Sequence, residues 1–285
     1  MKATHYITIA VAITLIALLY WGGNTVPPKK KHDHGPAMTE GGTPQGPNTM
    51  KPASFDSLLT ASKKLLSKTV ADSVNTIENE LAAIRDSSRM AAVFIRLAGV
   101  YERHEQIPMA AFYTGIAGKL EKSAKTLTFA GQIFLELMQR EHSATVQLWE
   151  SSEAIGLLEL AQQLDANNED AKLALATAYI EGSSEPMKGV AILRGIVAEK
   201  PEDVPANMLL GRMSIQSGQF DKAVGRFETV LKKEPQNSEA MYFLAQAYEG
   251  LGKKDKTIEL LEKCKKIVNK PEFSAEIDRK INSLK

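Results

Sequence analysis

The chain has 285 residues, 24% of them charged and 44% hydrophobic, with a net charge of +1. That balance is ordinary for a globular chain and lacks the basic footprint of a nucleic-acid binder. The single cysteine, Cys264, excludes an intramolecular disulfide and any CxxC metal or redox site.

Residues 6–21 read YITIAVAITLIALLYW, and no Asp, Glu, Lys or Arg occurs between Lys2 and Lys29. As a helix the apolar run spans ~24 Å, and residues 22–26 extend the uncharged stretch to bilayer length. Tyr6, Tyr20 and Trp21 stand where interfacial aromatics belong. Tyr20 and Trp21 fit a cleavage site poorly, so residues 1–23 read as an uncleaved transmembrane anchor, with a cleaved signal peptide as the alternative. The expected location is the cytoplasmic (inner) membrane, single-pass, with the C-terminal part extracytoplasmic. Residues 24–53 are rich in Pro, Gly and polar side chains and predict a disordered linker. His32 and His34 in that tract make no specific metal site.

Residues 54–88 carry two apolar stripes: Phe55, Leu58, Leu59, Leu65 and Leu66, then Val70, Val74, Ile77, Leu81 and Ile84. These predict amphipathic helices forming an N-terminal cap. Leu97, Ala98 and Tyr101, followed by Pro108, Ala110 and Ala111, predict a helical hairpin. Ala130, Gly131 and Phe134, then Ala154, Leu158 and Ala161, predict a second, whose second helix starts early, near Ser143, because HSATVQLWESS (142–152) contains no breaker.

From Pro201 to Pro235 the chain shows a period of 34 residues. Leu210, Gly211, Ala223, Phe227 and Val230 lie between. Met241, Leu244, Ala245, Tyr248, Thr257, Leu261 and Cys264 repeat that spacing downstream, as do Leu175, Ala176, Tyr179, Leu193 and Ile196 upstream. This pattern resembles the tetratricopeptide repeat (TPR), a helix–turn–helix unit of 34 residues. In its numbering Leu210 and Gly211 are positions 7 and 8, and Ala223, Phe227 and Val230 are positions 20, 24 and 27. Small residues at 8 and 20 let the two helices of a unit, A and B, approach closely. Gly218 supplies the turn between them.

The resemblance implies an all-α, right-handed TPR helical-hairpin solenoid. Residues 89–168 form divergent repeats, 169–271 three TPR repeats, and 272–285 a capping helix carrying Phe273, Ile277 and Ile281. The tryptophan favoured at position 4 is replaced by Lys172, Asn207 and Met241. The resemblance also implies a partner-binding groove lined from positions 5, 9 and 12: Leu173, Thr177, Ile180, Met208, Arg212, Ile215, Tyr242, Gln246 and Glu249. Position 6 carries Ala174, Leu209 and Phe243, so the asparagine of a terminal-carboxylate clamp is missing.

No HExxH, P-loop, GxGxxG or GxSxG motif occurs. His104 and His142 fall at predicted helix ends, where capping is the ordinary role. The expectation is a non-enzymatic, membrane-anchored scaffold without catalytic residues, metal or cofactor. Its partner would be a protein or peptide, with membrane contact through residues 6–26 and no nucleic acid. The resemblance implies a bacterial adaptor like other anchored repeat proteins, which assist secretion, envelope assembly or cytochrome maturation. The alternatives are a secreted or periplasmic adaptor after signal cleavage, a self-assembling (homo-oligomeric) envelope component, and an enzyme whose site the sequence hides.

Overall fold

A computed structural model describes residues 50–284. The expected membrane segment and most of the linker, with His32 and His34, lie outside the described residues. Within them there are thirteen α-helices and no strand. None of these helices is long and apolar enough to cross a membrane.

Two helices lead in, α1 (Phe55–Leu65) and α2 (Lys68–Ala83). Five helical hairpins follow: α3 (Ser87–Arg103) with α4 (Ile107–Glu121), α5 (Ala124–Arg140) with α6 (Ala144–Leu164), α7 (Glu169–Gly182) with α8 (Pro186–Glu199), α9 (Val204–Gln216) with α10 (Phe220–Lys233), and α11 (Ser238–Gly250) with α12 (Lys254–Val268). Helix α13 (Pro271–Leu284) ends the row.

The repeat phase is written into the helix starts. Helices α7, α9 and α11 begin at Asn168, Asp203 and Asn237, whose side chains accept from the backbone N–H three residues on. Such a cap satisfies one of the donors a helix start leaves open. Their partners α8, α10 and α12 have no side-chain cap. They follow at once from a tight turn, and in two of the three that turn holds a glycine at φ +71°, Gly218 and Gly252. That left-handed backbone is open to glycine at little cost.

Side chains at the repeat positions close the core. Ala223 and Phe227 are wholly buried, and Leu261 and Cys264 nearly so. One apolar cluster runs from Val74 through Tyr179, and further clusters join α7 to α9, α9 to α11, and α11 to α13. At the C-terminal end Ile277 and Ile281 of α13 cover Ala245 and Leu261. Without that lid the last repeat would expose its apolar face.

The hairpin α5–α6 departs from the others. Helix α5 is four residues longer than α9 (17 against 13), and α6 seven longer than α10 (21 against 14). The extra length is therefore divided between both helices, so the early start of the second accounts for only part of it. Helix α6 does start after Ser143. The protruding end receives the N-terminal segment: Ala53 N–H donates to Thr145 O at 2.8 Å. Phe55 of α1 stacks on Phe112 of α4 with centroids 3.9 Å apart, and Phe112 in turn lies 6.2 Å from Trp149 of α6.

Candidate functional site: the inner helix row

From α5 onward the A-type helices form the inner side of the curve, whereas at the N-terminal end it is the B helices α4 and α6 that touch. Alternate ones touch, α5 with α7, α7 with α9 and α9 with α11, whereas no pair among the corresponding B helices α6, α8, α10 and α12 makes a comparable contact. A shorter inner layer is what bends a solenoid and gives it a concave face.

A polar ladder crosses this layer. Gln139 Nε2, near the end of α5, donates to Glu181 Oε2 of α7 at 3.1 Å. Glu181 Oε1 lies 3.7 Å from the Arg212 guanidinium of α9. That guanidinium stands over the ring of Phe243 on α11, 5.7 Å from its centroid. Beside the ladder is an open trough of about 540 Å³, lined by Gln139, Ile180, Glu181, Leu209, Arg212 and Gln216 among others. The Arg212 side chain keeps 41% of its exposure there. It can release Glu181 for a ligand carboxylate without losing its place over the ring, because a guanidinium both stacks and forks.

The nine residues expected to line the groove separate into groups. Ile180 and Arg212 line the trough. Leu173 packs against the cluster of Val190, Leu193 and Leu210. The Thr177 hydroxyl donates back to Leu173 O at 3.0 Å, a bond within its own helix. Met208 is buried with Phe227 and Leu244, and Ile215 packs partly buried against the same cluster. Tyr242 turns towards Phe273 of α13, with centroids 6.4 Å apart. Glu249 is paired with Lys280 of α13 at 2.7 Å. Gln246 is half-buried. So α13 lies over the end of the face that α11 would otherwise present.

Gln139, Glu181 and Gln216 stand outside the repeat positions assigned to the groove, and Leu209 stands at position 6, next to them. Glu181 and Gln216 each fall one residue beyond the last position assigned to the groove. Their partners are 42 and 31 residues away along the chain, from Gln139 to Glu181 and from Glu181 to Arg212. Contacts within one helix, three or four residues apart, carry no trace of them. The two histidines of the described part lie at helix ends, as expected. His104 is the C-cap of α3, and His142 is exposed in the α5–α6 connection. Among the described residues no group of three or more His, Cys, Asp or Glu is placed to hold a metal ion.

Two of the seams between a B helix and the next A helix carry the same pair. The Tyr179 hydroxyl donates to Glu159, and the Tyr248 hydroxyl donates to Glu228 Oε1 at 2.8 Å. Burial, with the bonded carboxylate second, pushes the Tyr179 phenol up to about 12.

The tetratricopeptide repeat family model matches residues 214–275. No curated protein matches the chain. Among solved structures the fold is similar to that of the MamA protein, at 18% identity and a TM-score of 0.50, over 62% of this chain and 91% of that one. A tetratricopeptide repeat protein from Parabacteroides merdae ATCC 43184 aligns over 81% of this chain and 93% of its own, at 14% identity and a TM-score of 0.49. YrrB, described as a TPR protein with an unusual peptide-binding site, aligns over 66% of this chain and 92% of its own, at 19% identity and a TM-score of 0.49.

Proposed function

We propose that this chain, which carries tetratricopeptide repeats, is a scaffold that binds an extended or helical segment of another protein along its inner helix row. The observation that carries this reading is the ladder from Gln139 through Glu181 to Arg212 and Phe243, standing beside an open trough. It offers a donor, an acceptor, a cation and an aromatic face in one line across four successive A helices. A peptide has all the complementary groups, and a row of separate contacts is how a groove reads a segment of chain. Ile180 and Leu209 give the apolar floor, and Arg212 is the residue best placed to set polarity. Gln246 lies further along the same row. The contribution of Tyr242 and Glu249 depends on α13, which holds both.

Attachment to a membrane belongs to the same proposal and rests on residues 6–26. An uncleaved apolar leader would hold the repeats beside a bilayer on the linker, facing the extracytoplasmic side. Mass measurement of the N-terminus of the purified protein checks it, and a mature chain beginning after residue 22 would end the anchor reading.

The binding reading is tested by a photo-cross-linking residue at Gln216 of the full chain in its native cells. Capture of another protein, lost on Arg212→Glu, is the expected result. Capture of a second copy alone would favour self-assembly over an adaptor role. No capture from Gln216, with equal irradiation capturing proteins from the outer position Lys232, would refute it.

A further inference from the structure

Two of the seams between a B helix and the next A helix, α6–α7 and α10–α11, are built alike; the α4–α5 seam carries Phe134 and Thr114 at those positions, a ring without an acid, and the α8–α9 seam has neither. Tyr179 meets Glu159, and Tyr248 meets Glu228, each pair twenty residues apart along the chain. The tyrosine is on an A helix and the glutamate on the B helix before it. The corresponding positions of the seam between α8 and α9 carry Ser214 and Arg194, also twenty residues apart. Serine brings no ring to fill the seam, and arginine replaces the acceptor with a cation.

At this seam lies a cleft of about 360 Å³ between α8 and α10, with Leu210 and Met213 of α9 in its lining. Arg194, Lys222 and Arg226 line it, and no Asp or Glu does. Among the described residues none of these three cations makes an ion pair. Lys222 donates to Gln219 Oε1 at 2.6 Å, and Arg226 Nη1 donates to Asn207 Oδ1 at 3.0 Å, both neutral acceptors. Met187, on the wall, is 63% exposed. An apolar floor under three uncompensated cations is unusual on a solvated surface. It favours an anionic occupant that brings apolar surface with it.

Elsewhere the B helices already hold an aromatic anchor from the chain itself. Helix α1 lies against α4 through the stack of Phe55 on Phe112, and the residue group before it is tied to the start of α6. There an amphipathic segment with an aromatic anchor is held in cis.

We propose that the α8–α10 cleft is a second binding site, for a segment of a partner protein that places an aromatic side chain beside a carboxylate. The segment supplies from outside the ring and the acid that this seam lacks. The ring fills the space over Leu210 and Met213, where sulfur–aromatic contact adds to burial. The carboxylate meets the guanidinium groups of Arg194 and Arg226, which can accept it in forked geometry.

Random dodecapeptides displayed on phage and selected on the immobilised full chain provide the probe. Fluorescence anisotropy of the labelled winning peptide then compares wild type with two variants. The expected winners carry Phe, Tyr or Trp within two residues of Asp or Glu. Arg194→Glu is expected to weaken binding by about tenfold or more, as loss of a desolvated charge pair does. The double variant Arg194→Glu/Ser214→Tyr rebuilds the tyrosine–glutamate pair of the α6–α7 and α10–α11 seams. It is expected to abolish binding while melting at or above the wild-type temperature, which separates lost binding from lost folding. Winners without an acid, or affinity unchanged in both variants, would overturn the proposal. So would binding that inorganic phosphate competes away and that needs no aromatic residue, because the cleft would then be an ion site only.

Discussion

The ring of Phe227 lies against Gly211 so closely that a Cβ on the glycine would stand 2.5 Å from the ring. Phe227 is wholly buried, and its other side stacks on Phe243 of the next repeat at 5.7 Å. One side chain thus joins two helices of its own unit and the unit that follows. Gly211→Ala should therefore destabilise the protein, by about 1–3 kcal/mol for an overpacked core. Gly156→Ala on the exposed face of α6, where an added Cβ meets nothing within 4 Å, should stabilise by about 0.5–1 kcal/mol through helix propensity. Thermal melts of the two variants should move in opposite directions from wild type.

Glu150 on α6 is 1% exposed, and its Oε2 atom has no hydrogen-bond partner. Burial, with the charge of Glu141 second, pushes its carboxyl up from 4.5 to about 7. The folded state then holds a proton that the unfolded state releases at lower pH. The stabilisation is complete below about pH 4.5, declines as pH rises through about 7, and is absent above it. Its full span is about 3 kcal/mol for such a shift. Glu150→Gln should flatten the melting temperature between pH 5 and pH 8 and be the more stable protein at pH 8. Equal pH slopes in both proteins would show that Glu150 does not titrate in this range.

Helix α1 is held by Phe55 between Phe112 and Tyr113 and by the backbone bond from Ala53 to Thr145. Phe55→Ala should release it locally, at a cost of about 2 kcal/mol for a part-buried aromatic. Amide exchange should speed up over residues 55–65 and stay unchanged in α9 to α12. Uniform acceleration along the chain would show that α1 is part of one cooperative unit with the distant repeats.

Ile277 is 1% exposed in the terminal lid. Ile277→Asp should detach α13, by about 3 kcal/mol for burying a charge in place of an apolar side chain. Ala245 and Leu261 would then be uncovered, together with Tyr242, which α13 also contacts. Sedimentation velocity should report self-association of this variant at concentrations where wild type stays monodisperse.

The repeat phase could be read from the chain alone. Leu175, Ala223, Phe227, Leu261 and Cys264 fall at a spacing that returns to the same helix face, and all five are buried. The early start of α6 was legible for the same kind of reason: no glycine or proline interrupts residues 142–152. Periodicity reports which side of a helix turns inward, because the core demands apolar groups there in every unit.

What that inward side touches was settled only in three dimensions. Met208 occupies a position expected to face the groove, yet it is buried with Phe227 and Leu244. The Gln139–Glu181–Arg212 ladder joins helices through residues 31 to 42 apart in the chain, so its geometry depends on how far each hairpin rotates against the last. The exchange of Tyr and Glu for Ser214 and Arg194 is present in the sequence. A cleft lies at that seam only because stacking brings α8 and α10 to either side of it. Local pattern chooses helices and their buried faces; the angle at which neighbouring hairpins pack chooses which leftover groups meet.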